Sequence, residues 1–130
     1  MSYVFPPAPA PSVPVVGTEA QFPVHRIYCV GRNYEEHAKE MGFTGREPPF
    51  FFMKPADAIV VAPPGATTPL PYPSLTADLH HELELVVAIG RDAPAGVLPL
   101  SEAYSLVIAY GVGLGLTRRG LQGAAKAKGL

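Results

Sequence analysis

A sequence of 130 residues suits one domain, and 48% hydrophobic residues are enough for a core. A net charge of −1 without a basic cluster argues against a nucleic-acid partner, and the absence of a long apolar run or a signal peptide argues against a membrane protein. One cysteine excludes an internal disulfide framework and favours a reducing compartment, so a cytoplasmic protein is predicted.

The 16 prolines and 13 glycines predict frequent turns and therefore a β-rich α+β fold. Residues 1–23 are rich in proline and predict an extended N-terminal arm, followed by one domain at residues 24–130. Such an arm can be a recognition ligand, but it can equally lie over the surface of an enzyme without any partner.

The first predicted strand, Ile27–Val30, is followed by a predicted helix from Asn33 to Gly42. His37 and Glu40 lie three residues apart on this helix and therefore share one face. A carboxylate beside an imidazole fixes its tautomer and raises its basicity, as a general base requires. A surface ion pair gives the same pattern, so both interpretations remain open.

Residues 50–53 are apolar and predict a strand that ends at Lys54 and Pro55. A lysine in this position can be directed at an anion, or it can extend to solvent. Residues 58–62 predict another short strand, and the proline-dense residues 63–74 predict an ordered loop.

Glu82 and Glu84 begin an apolar run that Gly90 ends, which is typical of a strand. Side chains at i and i+2 of a strand leave the same face, so the two carboxylates are expected to share one space. Mg²⁺, Mn²⁺ or Ca²⁺ would relieve their repulsion. A solvated edge strand has the same spacing and is the alternative.

A helical turn is predicted near Ser101, then a second strand at residues 106–112, which the glycines at residues 111–115 end. Thr117 is predicted to cap a final helix. Both long strands are apolar along most of their length, which predicts burial on both faces. The glycines do not have the G-x-G-x-x-G spacing and lack the lysine of a P-loop, which argues against a nucleotide site.

Several motifs, taken in order, resemble one family. They are Cys29-Val30-Gly31-Arg32-Asn33-Tyr34 with His37 and Glu40, Phe52-x-Lys54-Pro55, His81-Glu82-x-Glu84, Val112-Gly113-Leu114 and Thr117-Arg118-Arg119-x-Leu121-Gln122. Together they resemble the fumarylacetoacetate hydrolase family, and within it the group that hydrolyses fumarylpyruvate in bacterial gentisate breakdown. The resemblance covers essentially the whole chain.

The resemblance implies a mixed β-sandwich roll, usually a homodimer, that hydrolyses a C–C bond of an acylpyruvate with the help of Mg²⁺, or of Mn²⁺ or Ca²⁺. The substrate would be a small diketo acid, with fumarylpyruvate giving fumarate and pyruvate. The family continues beyond Leu130 into strands that complete the roll, so the chain is expected to correspond to its N-terminal part.

The resemblance also implies a role for six residues of the site. Glu82 and Glu84 would bind the metal, His37 and Glu40 would activate water, and Arg32 and Lys54 would bind the substrate.

Gly115 stands where the resemblance implies a third metal ligand, an aspartate. Two carboxylates without a third hold Mg²⁺ weakly, because water must supply most of its ligands. An impaired hydrolase is therefore expected, and the alternative is a non-catalytic relative that keeps the fold or the dimer surface as a binding module. Uncovered apolar strands would also favour association through the sheet.

Overall fold

The structure, a computed structural model, describes residues 2–31, 33–34, 42, 44 and 48–129. The contacts within the chain divide it into two units, Met1–Pro69 and Leu70–Leu130. No helix among the described residues is long and apolar enough to cross a membrane.

The first unit contains two antiparallel ribbons. Strand β1 (Ser12–Pro14) pairs with β2 (Gln21–Pro23), and β3 (Ile27–Gly31) pairs with β4 (Phe50–Lys54). The predicted strands at residues 27–30 and 50–53 are thus confirmed, whereas the segment predicted as an extended arm also contributes the small β1–β2 ribbon.

Two helix or strand predictions in this unit have different outcomes. Residues 58–62 were expected to form a strand, and this prediction is wrong: a 3₁₀ turn spans Ala56–Ala58 and no strand follows it up to β5 in the described chain. The turn forms because Ala58 N–H donates to the Pro55 carbonyl at 3.1 Å. The predicted helix from Asn33 to Gly42 lies mostly outside the described residues and stays a prediction.

The second unit is built on one long antiparallel ribbon. Strand β5 (Leu79–Ile89) pairs with β6 (Val107–Arg118), and the register shifts between Ala88 and Ile89. Helix α1 (Leu100–Tyr104) precedes β6 and confirms the turn predicted near Ser101, and helix α2 (Arg119–Ala127) follows it.

Strand β6 does not end where the sequence predicts. Its glycines were expected to terminate it, yet it continues to Arg118, and Gly111, Gly113 and Gly115 all pair with residues of β5. Glycine is unfavourable in a strand, but cross-strand pairing outweighs that local preference.

The start of α2 also differs from the prediction. Thr117 was expected to cap the helix, but it belongs to β6 and pairs with His80, so that prediction is wrong. Arg118 occupies the cap position without a side-chain cap among the described residues. The Arg119 N–H instead donates to the Asp78 carbonyl at 2.9 Å, which satisfies one of the helix's unpaired donors from the ribbon itself.

The β5–β6 ribbon has two chemically different faces. Strand alternation places one set of residues on what we call the glutamate face: His80, Glu82, Glu84, Val86, Ala88, Ala109, Gly111, Gly113, Gly115 and Thr117. The opposite set includes His81, and its apolar members form what we call the apolar face: Leu83, Leu85, Val87, Tyr110, Val112, Leu114 and Leu116. Burial on both faces was predicted, but every described residue is half-buried or exposed.

Replacing Gly90 by alanine is expected to lower the free energy of unfolding by about 1 kcal/mol, because the exposed Ile108 side chain must move to make room. A Cβ at Gly90 would overlap the Cγ2 and Cδ1 atoms of Ile108 at the end of the ribbon. Gly120→Ala is the control, because its Cβ would meet nothing within 4 Å and alanine favours a helix by up to about 1 kcal/mol. Urea unfolding measures both, and an equal effect of the two changes would contradict the packing argument.

Candidate functional site

The centre of the candidate site is the pair Glu82 and Glu84. Both lie in β5 two residues apart, so they share the glutamate face, as the sequence predicts. Both are half-buried, whereas the neighbours that alternate with them, His81, Leu83 and Leu85, are exposed. Two partly desolvated carboxylates on one face repel each other and favour a nearby positive charge.

Glycines lie directly across the ribbon from both glutamates. Glu82 pairs with Gly115 and Glu84 pairs with Gly113. In a typical antiparallel pair, two side chains at such opposite positions would have their Cβ atoms about 4.5–5.5 Å apart. The opposite strand therefore directs no side chain towards the carboxylates at these two positions. At Gly113 a Cβ would lie 3.0 Å from Val86 Cγ2, so the absence of a side chain there also serves packing.

Arg119 provides the positive charge next to Glu82. Its Nη2 donates to Glu82 Oε1 at 2.5 Å, and its Nη1 donates to Gln122 Oε1 at 2.7 Å. The Arg119 side chain is 22% exposed and the Glu82 side chain 36% exposed, so the ion pair is partly shielded from water. The sequence predicts no role for Arg119. Its position next to Glu82 depends on the pairing of β5 with β6, which brings the start of α2 close to Glu82.

A second ion pair lies at the beginning of β5. His80 Nε2 is 2.9 Å from Asp78 Oδ1, and both side chains are more than half exposed. An exposed pair of this kind contributes little to stability. His80 shares the glutamate face but is already placed beside an acid of its own, so it is not an evident third ligand for Glu82 and Glu84.

The other predicted site residues are distributed differently. Lys54 ends β4 in the first unit, where it is half-buried and pairs with Ile27 across the ribbon. Arg32, His37 and Glu40 lie outside the described residues, so their roles in the site stay predictions.

Glu82 and Glu84 alone provide fewer ligands than a divalent cation requires. Mg²⁺ requires six oxygen ligands and Ca²⁺ six to eight. Among the residues that the structure describes, no group of three or more His, Cys, Asp and Glu side chains is placed to hold a metal. Glu82 and Glu84 therefore fit a divalent ion only as a weak site completed by water or by other groups.

Most of the chain is similar to known proteins of one family. The family profile described as fumarylacetoacetate (FAA) hydrolase C-terminal matches residues 26–130. Mitochondrial oxaloacetate tautomerase FAHD1 of Arabidopsis thaliana is 42% identical over 105 residues, covering 81% of this chain and 44% of the relative. The chain thus spans about half the length of the curated relatives it matches.

Two solved structures resemble the chain closely. Fumarylpyruvate hydrolase from Pseudomonas aeruginosa, in complex with Mn²⁺ and pyruvate, has a TM-score of 0.91 and 49% identity, over 98% of this chain and 55% of its own. A putative fumarylpyruvate hydrolase from Burkholderia cenocepacia has a TM-score of 0.77 and 50% identity, over 99% of this chain and 52% of its own. The predicted β-rich fold is confirmed, as a part of this larger architecture.

Proposed function

Because the chain belongs to the fumarylacetoacetate hydrolase family, we propose that it carries part of the site of a metal-dependent C–C bond hydrolase. The proposed substrate is an acylpyruvate, with fumarylpyruvate and water giving fumarate and pyruvate. The similarity to a fumarylpyruvate hydrolase in complex with Mn²⁺ and pyruvate supports both the metal and the substrate class.

The observation that carries this proposal is the half-buried pair Glu82 and Glu84 on one strand face opposite two glycines. We assign these two carboxylates to a divalent cation, Mg²⁺ or alternatively Mn²⁺ or Ca²⁺. The chemistry that such a cation supplies when bound is Lewis-acid polarisation of the substrate's oxygen atoms. Because Gly115 provides no third carboxylate, we propose weak metal binding and impaired turnover.

The remaining roles rest on the resemblance of the motifs. His37, oriented by Glu40, would take a proton from the water whose oxygen attacks the carbonyl distant from the pyruvate end. Arg32 and Lys54 would bind the substrate's anionic groups. The C–C bond then breaks with its electron pair on the pyruvate fragment, which gains a proton to give pyruvate.

The purified chain is expected to consume fumarylpyruvate slowly with Mn²⁺, to release fumarate and pyruvate in equal amounts, and to stop when a chelator is added. Glu84→Gln should abolish this turnover, because it removes one of the two carboxylates assigned to the metal. Glu102→Gln, a change at an exposed acid of α1, is the control and should keep it. Loss of fumarylpyruvate at the uncatalysed rate, with and without Mn²⁺, would contradict the proposal.

A second substrate is tested in the same assay, because a relative 42% identical to this chain is an oxaloacetate tautomerase. Oxaloacetate shares the 2-keto acid group with fumarylpyruvate but offers a different reaction, transfer of a proton between its keto and enol forms. If the chain catalyses keto–enol conversion of oxaloacetate but does not cleave fumarylpyruvate, the proposed function changes from a hydrolase to a tautomerase that uses the same two glutamates.

Two observations favour a third outcome, a non-catalytic relative that uses the fold for binding. Gly115 places no carboxylate on the glutamate face, and Arg119 occupies an oxygen of Glu82. Absence of both activities, together with retained binding of pyruvate in calorimetry, would favour such a binding module.

A further inference from the structure

One side of the β3–β4 ribbon is apolar and exposed, and the proposed reaction does not use it. We call this side the aromatic face, and it is formed by Tyr28, Val30, Phe51 and Met53. Strand alternation and register place the four side chains together, in two cross-strand pairs. Their exposed fractions range from 43% to 62%, so the ribbon presents a continuous apolar surface to solvent on this side.

The beginning of the proline-rich arm is a second exposed apolar surface. We call residues 3–9 the proline segment. Tyr3, Val4 and Phe5 are 69%, 92% and 79% exposed, and residues 6–9 are exposed as well. Three of residues 6–9 are prolines, which favour the polyproline II helix, a conformation without internal hydrogen bonds. The proline segment therefore offers apolar side chains and backbone carbonyl acceptors to a binding surface.

We propose that the proline segment of one copy of the chain docks on the aromatic face of a second copy. Polyproline II segments bind to surfaces lined by aromatic side chains, because their extended conformation is formed before binding and little entropy is lost. Tyr28 and Phe51 occupy diagonal positions on neighbouring strands, which typically lie about 7–8 Å apart and leave space for a proline ring between the two aromatic side chains. The Tyr28 hydroxyl can donate to a carbonyl of the segment.

The lengths of the two surfaces match. Residues 5–9 in the polyproline II conformation extend about 16 Å, at about 3.1 Å per residue. Strand β4 also has five residues and extends about 17 Å. One segment therefore covers the aromatic face from one end of the ribbon to the other.

The occupant is a second copy, because the proline segment and the aromatic face are both exposed within one chain. Exchange of the same segment between two copies is reciprocal: each copy gives one segment and accepts one, and the contacts close as a two-fold dimer. A standard interface uses about 20–30 residues on each side, so a seven-residue segment alone makes a weak contact. A test must therefore detect weak association.

The first test is photo-crosslinking from residue 5 of the whole chain, with Phe5 replaced by the photoreactive analogue p-benzoylphenylalanine. Illumination is expected to give a product of twice the chain mass, and mass spectrometry should locate the cross-link in β3 or β4. Phe51→Lys should lower the yield about tenfold, because it removes an apolar side chain that the segment would bury. Phe52→Lys is the matched control and should keep the yield, because Phe52 lies on the opposite side of the same strand.

Three results of this experiment would overturn the exchange. They are a cross-link within one chain, a cross-link to another part of the second copy, and the absence of a product of twice the chain mass. Equal yields with Phe51→Lys and Phe52→Lys would overturn it as well, because the capture would then not depend on the aromatic face.

The second test leaves the β3–β4 ribbon unchanged and alters only the exposed segment. Pro6, Pro7 and Pro9 are replaced together by alanine, which lacks the fixed backbone angle of proline, so the cross-linking yield should fall severalfold. Pro63→Ala with Pro64→Ala, two exposed prolines of a loop, is the control. An unchanged yield in the triple variant would show that the polyproline II conformation is not recognised, and the proposal would be wrong. Neither test depends on metal binding or on turnover.

Discussion

Replacing Gly115 by aspartate is expected to tighten Mn²⁺ binding by about tenfold or more, equivalent to at least about 1.4 kcal/mol. The register places residue 115 directly opposite Glu82 on the glutamate face, so a carboxylate there would join Glu82 and Glu84. A third carboxylate supplies a further oxygen ligand and offsets the charge of Arg119. Isothermal titration with Mn²⁺ measures the change directly.

Gly115→Asn is the matched control for this prediction. Asparagine has nearly the same shape as aspartate but a neutral amide, so it tests whether charge or mere space-filling changes the affinity. We expect asparagine to give less than half of the gain in binding free energy. Equal Mn²⁺ affinity for glycine, asparagine and aspartate would show that residue 115 does not contribute to a metal site, and the assignment would be wrong.

The glutamate pair is predictable from sequence because it depends on a local rule. The two glutamates share a face as soon as residues 79–89 form a strand, and the apolar run in these residues indicates a strand. The strands at β3 and β4 are predictable for the same reason. Each of these elements is specified by residues close together in the chain.

The features that sequence reasoning misses depend on pairing between distant segments. Considered alone, the glycines of β6 indicate the end of a strand. The pairing that continues the strand cannot be predicted locally, because 17 residues separate β5 from β6 and no short turn fixes their register. The contact of Arg119 with Glu82, 37 residues apart, follows only from that register. The cap predicted at Thr117 is wrong for the same reason, because Thr117 pairs with His80 and β6 therefore continues beyond it.

The apolar face of the β5–β6 ribbon is expected to hold two copies of the chain together. Leu85 is 69% exposed and its cross-strand neighbour Val112 is 78% exposed, near the middle of the apolar face. Large apolar patches of this kind are uncommon on stable monomers and mark association surfaces. We therefore propose a homodimer, which sedimentation velocity would detect as a species of twice the chain mass.

The double substitution Leu85→Lys with Val112→Glu is expected to convert the dimer to monomer. Burying each original side chain contributes about 1.5–3 kcal/mol, so losing both should raise the dissociation constant by more than about 100-fold. The introduced charges are opposite and face each other across the ribbon, so the strand pairing itself should persist. Val97→Lys is the control, because Val97 is fully exposed and lies in the loop between the two strands, outside the apolar face. If the unmodified chain sediments as a monomer and melts in one sharp, reversible transition, its apolar face does not require a second copy and the homodimer is excluded.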